Sequence, residues 1–438
     1  MFTTTSNDTQ SGKIGLLQTT SLVTGNLVGS GVFMLPSLLA VYGTVSLAGW
    51  LATSAGAIFL ALVFSALSKE IHGCNGGPHL FIQRAFGDGA GYYAAWGYWL
   101  LTWASNTALL VAAMSYLVKI TGPLSMTALL SIQVSIWSLV VLINSYGVQS
   151  AARFELLTTV LKLIPIIGIP LFACTSMQWR QFLPLFPAAE TTTMWSGLQA
   201  SIFLTLWAFI GVESATVPSK DVFRPEKTIG RATILGTSLA ALVYVLGSAV
   251  AIGVLGHAAL AQSTAPYADL ATSVFGGRWG VFVSACAVIS CVGAFNGWTM
   301  VVARIAEGAA EQGLFAEIFA FKDQRQTPIA ALLISSACTL VALLFTLQEN
   351  MLSQFNAIID IAVTIILLIY FGCAIAYFVL LKPKSTSERF VGIGAVLFSL
   401  FALYASGVKM VSLALLLLVL GTPFRAQSRH EQTMVIPQ

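Results

Sequence analysis

The chain has 438 residues, of which 57% are hydrophobic and 9% charged, with a formal net charge of +4. A soluble domain carries about 25% charged residues, so this chain lacks the charge to cover a surface facing water. The composition excludes a soluble globular domain, and +4 spread over loop positions offers no basic face to a nucleic acid.

In chain order, the start "MFTTTSNDTQSGK" is a polar tail, 1–13, without the cationic stretch and short apolar core of a cleavable signal. Apolar runs near or above the ~20 residues needed to cross a bilayer then recur. They are continuously apolar, unlike the alternating ~10-residue segments of a membrane barrel. The expectation is an all-α membrane protein with twelve transmembrane helices. Their limits read 14–40, 44–68, 90–119, 125–146, 153–175, 194–218, 232–255, 274–306, 328–347, 354–381, 389–406 and 408–423. The third and eighth runs are long, hence tilted or projecting beyond the bilayer. A second tail, 424–438, ends the chain. The six cysteines are scattered and show neither a disulfide framework nor metal-ligand spacing, so no metal and no cofactor is expected.

Lysines and arginines set the orientation. With the N-terminus inside, sixteen of the 21 fall in cytoplasmic connections or tails. Only Lys119, Arg180, Arg278 and Lys409 fall outside, and Lys162 lies within a span. Both termini are expected in the cytoplasm. The four histidines (His72, His79, His257 and His430) read as loop or C-terminal residues.

The first span contains "VGSGVFMLP" and the sixth "IGVESATVP". Gly29 matches Gly211 and Pro36 matches Pro218 at one offset of 182 residues, and the two long spans are separated by about the same distance. Residues 14–175 and 194–381 therefore read as two five-helix copies, with 389–423 as two added helices. An odd number of spans per copy makes the copies inverted. Inverted repeats with paired discontinuous helices, here one and six, mark secondary transporters with a midplane site. The competing explanation is chance, since Gly and Pro are common in membrane helices.

The interruptions have a chemical reading. Unpaired backbone groups in lipid cost several kcal/mol each, so an interruption needs a partner. N–H groups at "GSG" (Gly29, Ser30 and Gly31) can hold a carboxylate at a positive helix end, with the Ser30 hydroxyl adding a donor. Carbonyls around Trp207 and Ile210 can accept from an ammonium group. Together these select an α-amino acid or related amine; the plain alternative for "GSG" is close helix packing. Glu213, three residues past Ile210, is a mid-span carboxylate and a proton carrier, gate or structural acid. Trp207 and Trp298 lie away from the interfacial belts, and each either covers a substrate cation or is a packed aromatic. Lys162, in "TVLKLIPIIGIP", is a fixed cation or a proton carrier. Asp360, two turns into span ten, either draws in cationic substrates or is an interface acid.

"TGNLVGSGVFMLP", "LWAFIGVESATV", "GAFNGWT" and "GGPHLFIQRAFG" resemble motifs of the amino acid–polyamine–organocation superfamily. Within it, the chain is most similar to the bacterial basic amino acid/polyamine antiporters of arginine/agmatine type. The resemblance spans about residues 12 to 425. It implies the five-plus-five inverted repeat with two added helices, alternating access, and location in the bacterial inner membrane. It also implies homodimers formed through the last two spans. By resemblance, Ser30 and Gly31 bind the substrate carboxylate, and backbone at Leu27, Trp207 and Ile210 takes the amino group. Trp298 stacks on the side chain and Trp207 closes over it. Asn106 contacts the distal cationic group, with Leu109 beside it. Tyr98, Glu213 and Tyr370 form a gating cluster linked to proton sensing.

Departures from that pattern cluster around the distal group. Ala362 stands where those antiporters have a serine, Leu101 and Thr102 replace small residues, and Asn296 replaces a glycine. Lys162 stands where they have a small residue, and there resembles proton-coupled members in which lysine replaces a sodium ion. Two functions follow: exchange of a basic or related amino acid for its decarboxylated amine, or proton-coupled symport or facilitated entry of an amino acid. Arginine, ornithine, lysine, histidine and neutral amino acids stay open as substrates. Nothing resembles a nucleophile–base pair or a phosphate loop, so an enzyme is not expected.

Overall fold

The computed structural model describes residues 13–186, 193–345 and 351–425, with backbone alone for Ser30, Phe345 and 351–358. Most of both tails and the Ser30 side chain lie outside the described residues. The helices run α1 Leu16–Leu27, α2 Ser30–Ala40, α3 Val45–Glu70, α4 Pro78–Phe86, α5 Asp88–Thr121, α6 Met126–Ser145 and α7 Val148–Ala173. After these come α8 Met194–Leu206, α9 Pro225–Leu255, α10 His257–Ala261, α11 Pro266–Phe275, α12 Gly277–Glu311, α13 Ile329–Phe345, α14 Met351–Leu381 and α15 Thr386–Val419.

Among the described residues, ten helices or helix pairs are long and apolar enough to cross a membrane, and α13 is a shorter apolar helix. The chain is a multi-pass helical membrane protein. Several helices outrun their expected limits: α7 starts at Val148 rather than 153, α9 at Pro225 rather than 232, and α12 reaches Glu311 rather than 306. Hydropathy registers only the apolar middle, while backbone hydrogen bonding carries the helix on through polar turns. The expected loops before the two long spans contain helices α4 and α11. Each ends at a glycine with left-handed φ, Gly87 at 85° and Gly276 at 92°, which turns the chain straight into α5 and α12. α15 is crossed at Gly407, whose φ of 80° and ψ of 154° are not helical.

The chain segment around the first "GSG" is the centre of the bundle. The apolar window of Leu16–Ala40 is 94% buried, whereas that of Thr386–Arg425 is 6% buried, which places α15 at the periphery. Around α1 and α2, the long helices α5 and α12 pack along each other, and α3 packs on α9. α7 packs on α12 and α14 on α5, while α1 packs on α9 and α8 on α3. Lipid supplies no hydrophobic drive between helices, so close approach through small residues matters. Gly297 is such a point: a Cβ there would sit 2.2 Å from Asn26 Oδ1. A short bridge also ties the ends together, with Ile14 N–H donating to the Asp221 carbonyl and Phe223 N–H to that of Ile14.

Candidate functional site

α1 stops at Leu27 and helix resumes at Ser30, across Gly29 at φ −102° and ψ −128°. Helix ends leave carbonyls without intrahelical partners. Here four consecutive carbonyls are taken by side chains from three other helices. Gly25 O accepts from Lys162 Nζ at 2.7 Å and Asn26 O from Trp298 Nε1 at 3.4 Å. Leu27 O accepts from the Tyr244 hydroxyl at 2.6 Å, and Val28 O from Ser290 Oγ at 3.1 Å. On the other side, no side chain caps the N-terminus of α2 at Gly29.

The second interruption faces the first. α8 ends at Leu206 and a 3₁₀ turn covers Trp207–Phe209. Ile210 is extended, Gly211 takes φ +116°, and another 3₁₀ turn follows at Ser214–Thr216. The two interruptions nearly touch. A Cβ on Gly31 would come within 3.1 Å of Ala208 Cβ and 3.4 Å of Trp207 Cδ1. One on Gly211 would meet Trp298 Cζ2 at 3.1 Å. The Tyr244 hydroxyl joins them, because it also lies 2.9 Å from the Ala208 carbonyl.

Between them is a narrow cavity with about 20 Å³ of free volume, room for about one water molecule. Leu27, Gly31, Thr102, Leu109, Trp207, Ile210 and Trp298, all expected at the site, line it. Gly29 and Leu101, also named from the sequence, line it too, and Asn26 and Ser105 do so without having been singled out. Thr102 spends its hydroxyl proton on the Tyr98 carbonyl at 2.6 Å. Asn26 Oδ1 and Nδ2 and Ser105 Oγ are buried without a partner among the described residues. Every polar side chain in the lining is neutral.

Asn106 and Ala362 are not part of the lining. Asn106 follows Ser105 on α5 but is absent from the lining. It is 1% exposed, and its Oδ1 has no partner among the described residues. Ala362 is buried in α14.

Tyr98, Glu213 and Tyr370 do come together. The Tyr98 hydroxyl donates to Glu213 Oε1 at 2.7 Å, and the Tyr370 hydroxyl donates to Oε2. Gly211 N–H also donates to Oε2, at 3.2 Å. This links the carboxylate to the second interruption, while the cluster itself lies outside the cavity lining. Three converging donors satisfy a carboxylate that lipid could not.

Lys162 has a partner that sequence reading missed. Glu155 Oε1 lies 4.0 Å from Lys162 Nζ, with both side chains fully buried. Glu155 Oε2 accepts from Asn296 Nδ2 at 3.2 Å, and Asn296 Oδ1 accepts from Asn144 at 3.0 Å. A spacing of seven residues is two helical turns, so it puts both charges on one face of α7. That spacing was the available signal.

Two further positions differ from expectation. Arg304, read as a loop charge, is 5% exposed within α12. It pairs with Glu307 at 2.7 Å and with Asp221 at 3.0 Å. Burial holds the Asp221 carboxyl above its usual range despite the Arg304 guanidinium beside it. His79, read as a loop residue, is on α4 and has no exposure. Among the described residues, no three His, Cys, Asp or Glu side chains gather as a metal site.

A family model described as amino acid permease matches residues 14–424. The putrescine transporter PotE of Haemophilus influenzae is 29% identical over 412 residues, covering 91% of this chain and 93% of that relative. The same-named transporter of Escherichia coli is 28% identical over 416 residues, covering 91% and 92%. The arginine/agmatine antiporter of Chlamydia abortus is 29% identical over 446 residues, covering 96% and 90%.

Proposed function

The chain belongs to the amino acid permease family, and from that premise we propose that it exchanges an amino acid, basic or related, for its decarboxylated amine. Its setting is the bacterial inner membrane, with both termini in the cytoplasm. The observation that carries this reading is the cavity between the two interruptions. It offers an uncapped helix start on one side, bent backbone on the other, and two tryptophans between them. N–H groups of Ser30 and Gly31 hold the carboxylate, where a positive helix end favours an anion. Carbonyls of Leu27, Trp207 and Ile210 accept from the ammonium group. Trp298 and Trp207 flank the side chain, with Thr102 and Leu109 beyond. Asn106 and Ala362 reach the substrate only after α5 or α14 shifts. The Tyr98–Glu213–Tyr370 cluster gates the path.

The carrier has twelve spans in this reading, counting α13 and dividing α15 at Gly407. Spans one to five and six to ten are inverted copies. The packing supports this, since exchanging the copies turns α7 on α12 into α14 on α5, and α1 on α9 into α8 on α3. The short helix before each long span, with its closing glycine, supports it too. Loaded carrier rocks between faces with one substrate bound at a time. Exchange is electrogenic when the two substrates differ by one charge. The exposed α15 serves as the face of a homodimer.

Counterflow into proteoliposomes tests the reading with a panel of labelled amino acids and their amines. Uptake should require amino acid or amine inside the vesicle, and equal uptake into empty vesicles would overturn obligatory exchange. One observation favours a second reading, proton-coupled uptake: the Lys162 ammonium sits on the Gly25 carbonyl beside the first interruption. That reading predicts uptake driven by a pH gradient into empty vesicles, lost in Lys162→Ala.

A further inference from the structure

A separate groove opens at the bundle's edge, between the C-terminal ends of α3 and α14, α4, and the start of α15. It has about 1060 Å³ of free volume, at the upper end of the roughly 300–1,000 Å³ of a small-molecule pocket. Its rim carries Lys69, Arg84, Lys382 and Lys384, which come from both walls and are all exposed. None of the four is in an ion pair among the described residues. Of the two acids present, Glu388 is committed to the α15 cap, where it accepts the N–H groups of Lys384 and Ser385 at 3.1 and 3.2 Å. Below the rim, the walls turn apolar at Leu62, Ala66, Leu380 and Val391. The walls are held in place by Phe59 against Phe390 and by the Tyr377 hydroxyl on the Glu388 carbonyl.

We propose that this groove binds an anionic phospholipid, its phosphate among the four cations and its upper acyl chains along the apolar wall. Four cations against two acids, Glu70 and Glu388, leave the end of these membrane-spanning helices net positive, which suits an anionic headgroup. The apolar wall beneath them suits a lipid over a free anion. The site is independent of the transport cavity.

Native mass spectrometry of the purified full chain tests this with phosphatidylglycerol, phosphatidylcholine or inorganic phosphate. Wild type should retain a phosphatidylglycerol that Lys69→Gln/Arg84→Gln and Lys382→Gln/Lys384→Gln each weaken, by about fivefold per cation removed. Lys382→Arg/Lys384→Arg should keep it, and phosphatidylcholine binding should not change. Each double variant alters one wall, and a melting temperature near wild type checks its fold. Equal phosphatidylglycerol retention by wild type and both glutamine variants would overturn the site. Displacement of the lipid by millimolar phosphate would overturn the lipid as its occupant.

Discussion

The Lys162 ammonium donates to the Gly25 carbonyl at 2.7 Å and has Glu155 as its buried counter-charge. Removing one member of a buried ion pair costs about 3–5 kcal/mol, because the other is left unpaired. Lys162→Met should lower stability by about that amount, and adding Glu155→Gln should restore most of it. Thermal unfolding in detergent reads both changes. A double variant no more stable than the single would show that Glu155 is not what the lysine neutralises.

Tyr244 has one hydroxyl proton and two carbonyls within reach, Leu27 O and Ala208 O. Its ring also stacks on Trp50 at 4.9 Å, so Tyr244→Phe keeps the packing and removes only the donor. A buried acceptor left without a donor costs about 1–3 kcal/mol. The ligand-free variant should lose stability in that range, and added substrate should stabilise it more than wild type. A substrate shift equal to wild type's would mean that the ammonium group does not use the Leu27 carbonyl.

The sequence made the two interruptions readable because Gly and Pro within an apolar run conflict with a helix before any neighbour is known. Gly31, Trp207 and Ile210 followed from that conflict and its repetition, and Trp298 from its place in mid-span. Glu155 was hidden because a carboxylate near the start of a span looks like an interfacial charge. Only the two-turn spacing to Lys162 links them. Tyr244 was hidden for another reason. Its hydroxyl acts on carbonyls of two other segments, and no local pattern encodes that. Arg304 passed for a loop charge because it lies two residues from the expected end of its span.

Gly211 takes φ +116°, and a Cβ there would lie 3.1 Å from Trp298 Cζ2. Gly211→Ala therefore strains the backbone and pushes on a cavity wall together. A non-glycine residue in so sparse a region costs about 1–3 kcal/mol. Stability should fall by that much and counterflow by at least about tenfold. Gly15→Ala is the control, since nothing lies within 4 Å of a Cβ there, and it should stay within about 0.5 kcal/mol of wild type. If Gly211→Ala exchanged at the wild-type rate, the bend at Gly211 would not be part of the site.

His79 gives the protein a built-in acid sensitivity. Burial lowers its pKa from 6.5 to about 3, so the folded chain keeps the ring neutral. Between those values the unfolded chain binds a proton that the folded chain refuses. Stability therefore rises with pH across this window and is lost as pH falls below 6.5. At about 1.4 kcal/mol per pH unit, going from pH 6.5 to pH 5 costs about 2 kcal/mol. His79→Gln cannot take up the proton. Wild type should thus lose about 2 kcal/mol more than His79→Gln when both are unfolded at pH 7.5 and at pH 5. The comparison between the two pH values cancels any constant packing cost of the substitution. Equal losses would mean that His79 accepts its proton without unfolding, and that α4 opens to water in the folded protein.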